Sequence, residues 1–246
     1  MLRGQWPLEE KVKPIFKAQI AKWLENGVIK RAPPGNPYNS LLFPVRKKNT
    51  QGQYSGDSRI VMDCRLVNSA FNPAKSDRFP LPLISELHRK MSKHYIYLII
   101  DLSQCFHSLE IHYSSRKFLS FTDPTTAQQY MHFKAPTGLT PLSFFVQRQL
   151  TNLFSDLNDV TTNFIDDITL HTDGDMETHI KYVKIVIDRL TEINLTINVA
   201  KTHLAQKSIN IPGFCLSEQG LAVDQRKVRN ILDWNPVCQN NRELAV

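Results

Sequence analysis

Apolar residues recur at helical spacing near the start of the chain. They fall three or four positions apart between residues 12 and 24, and Asn26-Gly27 follows as a stop signal. The apolar positions are Val12, Ile15, Phe16, Ile20, Trp23 and Leu24. This pattern predicts an amphipathic helix, and the proline-rich segment 31–37 that follows excludes regular structure.

Two short apolar runs then bracket a polar stretch that contains glycine. Leu41–Val45 and Arg59–Met62 have the composition of strands, and residues 49–57 between them are rich in turn formers. The pattern therefore predicts a hairpin with a basic tip.

The remaining pattern alternates between helical and strand-like segments. A short helix is predicted near Ser85–Met91, and the apolar run Tyr95–Ile100, which ends on Asp101, is typical of a central strand. The later predicted elements are strands at Lys117–Thr122 and Gln129–Lys134, a helix with Leu142, Phe145, Val146, Leu150, Leu153 and Phe154 on one face, a strand pair around Phe164–Ile168, a helix over Met176–Ile193 with Ile180, Val183, Ile187 and Leu190 facing inward, strands near Thr196 and at Ile209–Leu216, and a last helix from Asp224. Without internal repeats, this order predicts an α+β fold with an elaborated split βαβ sheet backed by helices.

Length and composition exclude several classes of protein. The 246 residues, 41% of them hydrophobic, suffice for one large domain or two packed lobes and exclude a disordered or collagen-like chain. No apolar run approaches the roughly 18 residues that span a bilayer, and the N-terminus lacks the apolar stretch of a secretion signal. The four cysteines of the chain form no C-x-x-C motif, so neither a zinc site nor a disulfide framework is indicated. We expect a cytoplasmic chain that is not secreted and has no membrane partner.

The net charge of +7 is unevenly distributed. Residues 1–93 contain 17 Lys and Arg against 7 Asp and Glu, whereas the remaining residues contain 13 against 16. A positive field of this kind favours a polyanionic partner, because each neutralised phosphate releases counterions. A solvated basic surface is the alternative that charge alone leaves open.

Two adjacent carboxylates, Asp166 and Asp167, interrupt the apolar segment 164–170. Carboxylates are seldom buried without a partner, so an exposed hairpin turn is the favoured interpretation of these two residues alone. Asp101 shifts the balance toward a cation site, because it also ends an apolar strand, and parallel or mixed sheets collect the carboxyl ends of strands at one edge.

Three converging carboxylates are the usual protein contribution to a two-magnesium site for phosphoryl transfer. Neighbouring residues in a strand point to opposite faces. We therefore expect Asp101 and Asp166 to bind metal directly, with Asp167 farther from it.

A series of short motifs runs through the chain in a fixed order. They are Gly27-Val28-Ile29, the segment from Arg59 to Asn68, Arg78-Phe79-Pro80-Leu81-Pro82, the segment from Asp101 to His107, Pro136-Thr137-Gly138-Leu139-Thr140, Phe164-Ile165-Asp166-Asp167, and Pro212-Gly213-Phe214 with Gly220-Leu221 beyond it. In this order they resemble the reverse transcriptases of LTR retroelements, nearest to the gypsy-like group. The resemblance runs nearly from end to end.

The resemblance implies the fold, the domains and the activity. It implies right-hand polymerase fingers in residues 1–93, continuing in 112–140, a palm in 94–111 and 141–216, and the start of a truncated thumb in 217–246, with the whole domain over about 27–217. It implies an RNA-directed DNA polymerase, a nucleotidyltransferase that uses two Mg²⁺ ions, with Mn²⁺ as a substitute. The implied partners are an RNA or DNA template-primer, dNTPs and the rest of a Pol polyprotein with RNase H and integrase, in the cytoplasm or in particles of the element.

The resemblance also implies a role for individual residues. The implied catalytic and metal-binding residues are Asp101, Asp166 and Asp167. Those implied to contact the incoming nucleotide are Lys47, Lys48, Arg59, Phe106, Gly138 and Ile165, and among them Phe106 crowds the sugar 2′ position. Those implied to contact the template or primer are Gln147, Pro212, Gly213 and Phe214. Taken singly, these residues have simpler interpretations: a solvated turn for the lysines, a surface ion pair for Arg59, core for Phe106, a turn glycine for Gly138 and a solvent-facing Gln147. Lys201 matches a basic position near the phosphates, and a lysine that caps its turn is equally consistent.

The chain departs from the family pattern beside Gly138. Pro141-Leu142-Ser143 stands where the family usually has Asn-Ala-Pro, and Thr137 replaces an aromatic or Gln. The alternative function is therefore a catalytically impaired or domesticated fragment that binds nucleic acid without synthesis. An RNA-templated RNA polymerase is a third candidate, which fits Phe106 less well.

Overall fold

The computed structural model describes residues 5, 7–48, 54–72, 78–211, 214–223 and 229, with the backbone alone at 48 and 54–57. In chain order the elements are α1 (Lys13–Glu25), β1 (Ile29–Arg31), β2 (Leu42–Lys48), β3 (Tyr54–Met62), α2 (Arg65–Ser69), α3 (Ile84–Met91), β4 (Ile96–Asp101), α4 (Cys105–Ser108), β5 (Ser120–Thr122), β6 (Gln129–His132), α5 (Thr140–Leu153), β7 (Thr161–Phe164), β8 (Asp167–Thr172), α6 (Met176–Glu192), β9 (His203–Gln206), β10 (Ser208–Ile211), β11 (Phe214–Ser217) and β12 (Gly220–Val223). Among the described residues, none of the helices combines the length and apolar character needed to span a bilayer.

The chain divides into two compact units, each built from three segments. Unit 1 comprises residues 1–81, 102–152 and 190–196, and unit 2 comprises 82–101, 153–189 and 197–246. The predicted helix from Asp224 and the hairpin tip at 49–53 lie outside the described residues, Arg229 apart.

Helix α1 of unit 1 confirms the first prediction. Its side chains Phe16, Ile20 and Trp23 are buried in the core of this unit, with Ile29 of β1 and Phe121 of β5. The helix ends in a Schellman motif: Gly27 has a φ of 63°, its N–H binds the Leu24 carbonyl, and the N–H of Val28 binds the Trp23 carbonyl at 2.8 Å.

The described residues of unit 1 form two sheets. Strands β1, β6 and β5 form an antiparallel sheet in that order, and β2 pairs with β3 in the predicted hairpin. Both strands of the hairpin extend farther toward its tip than the sequence predicted. Residues 117 and 118, predicted as the start of a strand, belong instead to a 3-10 turn at Arg116–Phe118 before β5.

The main sheet of unit 2 has the strand order β7-β8-β4-β9. The prediction of a central strand is confirmed, because β4 lies between β8 and β9 and Tyr97, Leu98 and Ile100 are fully buried. The reason given for the convergence of the carboxylates, that parallel or mixed sheets collect strand ends, does not apply, because all the pairs of this sheet are antiparallel. The carboxyl end of β4 therefore meets the amino end of β8, not the carboxyl end of another strand.

The segment from Thr196 to Ser217 differs from the predicted strands. The strand predicted near Thr196 is reduced to a single β-bridge residue, Ile197, before a 3-10 turn at Val199–Lys201, and the next strand begins at His203. The single strand predicted over Ile209–Leu216 is instead the antiparallel pair β10 and β11, which β12 extends to a three-stranded sheet.

Helix α6 occupies the predicted range but presents a different face. The sequence placed Ile180 and Ile187 inward, yet both are exposed, while His179 and Val186 are buried. The apolar spacing fits two adjacent stripes of the helix, and the packing of unit 2 selects the one that contains His179 and Val186. Val183 is half-buried, and Leu190 is buried as predicted.

Candidate active site

A two-residue loop joins β7 to β8. Phe164 and Asp167 are register partners, so only Ile165 and Asp166 form the loop. Ile165 has a φ of 58°, where glycine is usual and β-branched residues are rare. Such strain costs about 1–3 kcal/mol and is concentrated at functional sites. The hairpin therefore holds Asp166 at its tip against a conformational cost.

Asp101 and Asp167 are direct register partners across β4 and β8. Directly opposed residues of antiparallel strands point to the same face, with Cβ atoms about 4.5–5.5 Å apart. Two residues remote in the sequence thus place carboxylates side by side, and Asp166 adjoins them in the loop. The register pairs Asp101 with Asp167. Direct metal binding by Asp101 and Asp166, with Asp167 farther away, stays a prediction.

Lys201 contacts this pair from the turn after α6. Its Nζ donates to Asp101 Oδ2 at 3.2 Å, and the backbone N–H of Asn198 binds the Asp101 carbonyl at 2.9 Å. The segment 198–201 is therefore attached to the end of β4. The only sequence signal for this contact was the basic residue that the family resemblance marked after α6.

The electrostatics of the site are those of crowded anions. Burial raises the pKa of Asp167, the negative charges of Asp166 and Asp101 raise it further, and Lys201 partly offsets them. A small cavity of about 120 Å³ adjoins Asp167, and Leu87, Met91 and Ile211 are among the residues that line it.

The donor chemistry fits a hard divalent cation. Carboxylate oxygens are the ligands that Mg²⁺ prefers, and a cation would relieve the repulsion between Asp101, Asp166 and Asp167. The side chains are not a closed ligand set: the described residues contain no group of three His, Cys, Asp or Glu arranged to hold a metal.

The predicted triphosphate residues lie in unit 1 on the β2–β3 hairpin. Arg59 is exposed on β3 and is the register partner of Val45. Lys47 is exposed near the end of β2, where the register shifts between Arg46 and Lys48. The side chain of Lys48 lies outside what the structure describes.

Gly138, also in unit 1, occupies a turn that only glycine adopts easily. Its φ is 103°, and a Cβ there would lie 3.7 Å from Cys64 Sγ, which is ordinary contact. Asn68, the last residue of the motif Arg59–Asn68, holds this turn: its side-chain amide donates to the Gly138 carbonyl at 2.8 Å and accepts from the Thr140 N–H at 3.0 Å. Phe106, half-buried in α4, belongs to the same unit.

The predicted template and primer residues differ in their exposure. Gln147 is only 2% exposed and contacts Thr151 Oγ1 at 3.3 Å, so the solvent-facing interpretation was wrong. Pro212 and Gly213 lie outside the described residues. Phe214 begins β11 and packs its ring 4.9 Å from that of His88. Roles toward template or primer stay predictions for these residues.

Comparison with protein families and curated proteins gives a consistent result. The family model described as "Reverse transcriptase (RNA-dependent DNA polymerase)" matches residues 45–216. The chain is similar to the Retrovirus-related Pol polyprotein from transposon gypsy of Drosophila melanogaster, with 25% identity over 229 residues, 92% of this chain and 21% of that protein. It is also 25% identical over 240 residues to the Transposon Tf2-3 polyprotein of Schizosaccharomyces pombe, 97% of this chain and 17% of that protein. The chain thus spans about a fifth of the length of these relatives.

Solved structures show the fold. The foamy viral protease-reverse transcriptase in complex with dsDNA matches with a TM-score of 0.83 and 21% identity, over 99% of this chain and 48% of that one. The same protein in complex with an RNA/DNA hybrid matches with a TM-score of 0.79 and 20% identity, over 96% and 30%. The predicted α+β fingers and palm architecture is confirmed.

Proposed function

The chain belongs to the reverse transcriptase (RNA-dependent DNA polymerase) family, and we propose that it is a fingers and palm core that extends a primer with dNTPs on an RNA template. The observation that carries this proposal is the pairing of Asp101 with Asp167 beside the strained loop that bears Asp166. Like charges directly opposed in a sheet are destabilising, so their presence together favours a site built for a cation.

In this proposal Asp101 and Asp166 would hold Mg²⁺ directly, with Asp167 farther from it. When bound, a metal pair lowers the pKa of an attacking hydroxyl and neutralises a departing pyrophosphate. Asp101 and Asp167 are carried by paired strands of one sheet, so the hydrogen-bonded register fixes their separation before substrate arrives. Lys201 forms an ion pair with one oxygen of Asp101, 3.2 Å away.

Five of the residues predicted to contact the incoming nucleotide belong to unit 1. Lys47, Lys48 and Arg59 supply the cations that a triphosphate requires. Phe106 would exclude a 2′-hydroxyl by steric contact, and Gly138 would let the nucleotide approach the backbone. Ile165 would touch the nucleotide sugar or the primer end, and Pro212, Gly213 and Phe214 would contact the primer.

The similar proteins suggest which partners this chain has. They are Pol polyproteins, and the foamy viral neighbours were solved with nucleic acid. We accordingly propose an RNA or DNA template-primer as partner, and RNase H and integrase segments elsewhere in a longer polyprotein, acting in the cytoplasm or in element particles.

A primer-extension assay tests the proposal, with Mg²⁺, a homopolymer RNA template and dNTPs. We expect extension by the natural chain and a loss of at least about 100-fold in Asp101→Asn or Asp166→Asn, because each removes charge from the reacting centre. Glu218→Gln, which changes an exposed carboxylate in the turn before β12, is the matched control and should extend normally.

Three outcomes would replace the proposal. Unchanged extension by the Asp101 and Asp166 variants would remove these residues from the chemistry. Salt-sensitive binding of nucleic acid that needs no Mg²⁺ and is not followed by extension would support the alternative function, a fragment that binds nucleic acid without synthesis. The altered segment Pro141-Leu142-Ser143 favours that alternative. Preferential incorporation of ribonucleotides would favour an RNA polymerase.

A further inference from the structure

Helix α6 carries an exposed apolar strip beside its buried face. Met176, Ile180, Val183 and Ile187 follow one another at steps of four, three and four residues, the spacing of a seam between paired helices. Ile180 is 57% exposed, Met176 46% and Ile187 38%, while Val183 is half-buried. Three large apolar side chains therefore share one solvent-facing strip.

The strip cannot turn inward, because α6 is held near both of its ends. Near the start, Thr172 Oγ1 and His179 Nδ1 form a buried hydrogen bond of 2.8 Å. Near the end, Arg189 donates to the Leu153 carbonyl at 2.8 Å and pairs with both carboxylate oxygens of Asp156. The rotation of the helix is thus fixed, and contiguous exposed apolar surface of this kind marks an interaction site.

We propose that this strip binds α6 of a second copy of the chain in an antiparallel, two-fold symmetric pair. A two-fold axis between Ile180 and Val183 places Ile180 against the partner's Val183 and Met176 against the partner's Ile187. Each contact then occurs twice, as a closed dimer with one self-complementary surface requires.

Charge complementarity selects this occupant and this direction. Glu177 and Lys184 border the strip on its outer side, seven residues apart. In the antiparallel register Glu177 lies opposite the partner's Lys184, and Lys184 opposite the partner's Glu177. Within the described part of the chain neither residue forms an ion pair, so both charges are available to a partner.

The contact area sets the expected strength. Protein interfaces that bury less than roughly 1,200 Å² are weak and transient. A single pair of helices falls in this class. We therefore expect association in the micromolar to millimolar range rather than an obligate dimer.

Sedimentation velocity between about 1 μM and about 1 mM chain tests the dimer. The sedimentation coefficient should rise with concentration from that of a monomer to that of a dimer, and Ile180→Glu should abolish the rise. Ile185→Glu is the matched control: Ile185 is 37% exposed on another side of α6, and its variant should dimerise like the natural chain. Circular dichroism checks that each variant is folded.

Charge reversal tests the register itself. Glu177→Lys and Lys184→Glu should each weaken self-association at least about tenfold, because like charges then face each other. An equimolar mixture of the two variants should associate again, since every Lys would face a Glu across the mixed pair.

Three results would overturn the proposal. They are a natural chain that stays monomeric throughout, dimerisation that survives Ile180→Glu, and single-charge variants that fail to associate when mixed. The first would leave the strip to another segment or partner, and none of the three depends on polymerase activity.

Discussion

Asp101 and Lys201, one hundred residues apart in the chain, form an ion pair at the end of β4, with 3.2 Å between Lys201 Nζ and Asp101 Oδ2. The lysine side chain is 66% exposed, so the pair is worth no more than about 1 kcal/mol. In the proposed active site, Lys201 would compete with Mg²⁺ for this carboxylate oxygen.

Removing this competition should lower the Mg²⁺ requirement. We expect Lys201→Met to reduce the Mg²⁺ concentration for half-maximal primer extension by up to about fivefold, the factor that corresponds to about 1 kcal/mol. Titration of extension rate against Mg²⁺ measures the shift, and Lys207→Met, an exposed lysine outside the site, should leave it unchanged. A higher requirement in Lys201→Met would mean that the lysine helps metal binding.

The backbone at Ile165 should respond to removal of its Cβ. At a φ of 58°, Ile165→Gly should be more stable than Ile165→Ala by about 1 kcal/mol, because only the alanine keeps the clash of a left-handed L-residue. Both variants lose the isoleucine side chain, so their difference isolates the backbone. Thermal unfolding should separate them by about 2–4 °C. Equal midpoints would show that the loop relaxes without strain.

Sugar selection should depend on Phe106. In Phe106→Ala the preference for dNTPs over ribonucleotides should fall by about 10- to 100-fold, since one missing steric contact is worth about 1–3 kcal/mol. Single-nucleotide incorporation kinetics measure the ratio, and Phe118→Ala, a partly exposed phenylalanine of the same unit, serves as control. Undiminished discrimination would assign Phe106 to the core.

Two buried histidines should make folding stability fall in acid. Burial, the largest cause in each case, lowers the pKa of His132 and of His171 to about 3. In the unfolded chain both imidazoles take up a proton near pH 6.5. The contribution of the two neutral histidines to the free energy of unfolding is therefore fully present above that pH and is lost as the pH falls toward 3. Between about pH 7.5 and about pH 5, each histidine should cost about 2 kcal/mol.

Urea unfolding at the two pH values measures this loss. His132→Leu should remove about half of the contribution of the pair, and His203→Leu, an exposed histidine, should retain it all. A pH dependence unchanged by His132→Leu would mean that His132 is protonated in the folded protein.

Local patterns in the sequence were enough for most elements and for the family. The spacing of apolar residues located α1, α5 and α6, and the run before Asp101 located the central strand. The apolar segments that end in Asp101 or are interrupted by Asp166 and Asp167 pointed to these carboxylates, and the ordered motifs indicated the family. These features depend on neighbours within a few residues, where backbone preference and amphipathic spacing act directly.

Long-range packing decided the rest. The antiparallel register that joins Asp101 to Asp167, the contact of Lys201, and the burial of Gln147 all depend on segments far apart in the chain. The same holds for α6, whose sequence offers two apolar stripes of similar quality. Only the sheet and side chains against which the helix packs select His179 and Val186 for the interior and leave Ile180 and Ile187 exposed, because burial is a property of the assembled surface and not of the spacing.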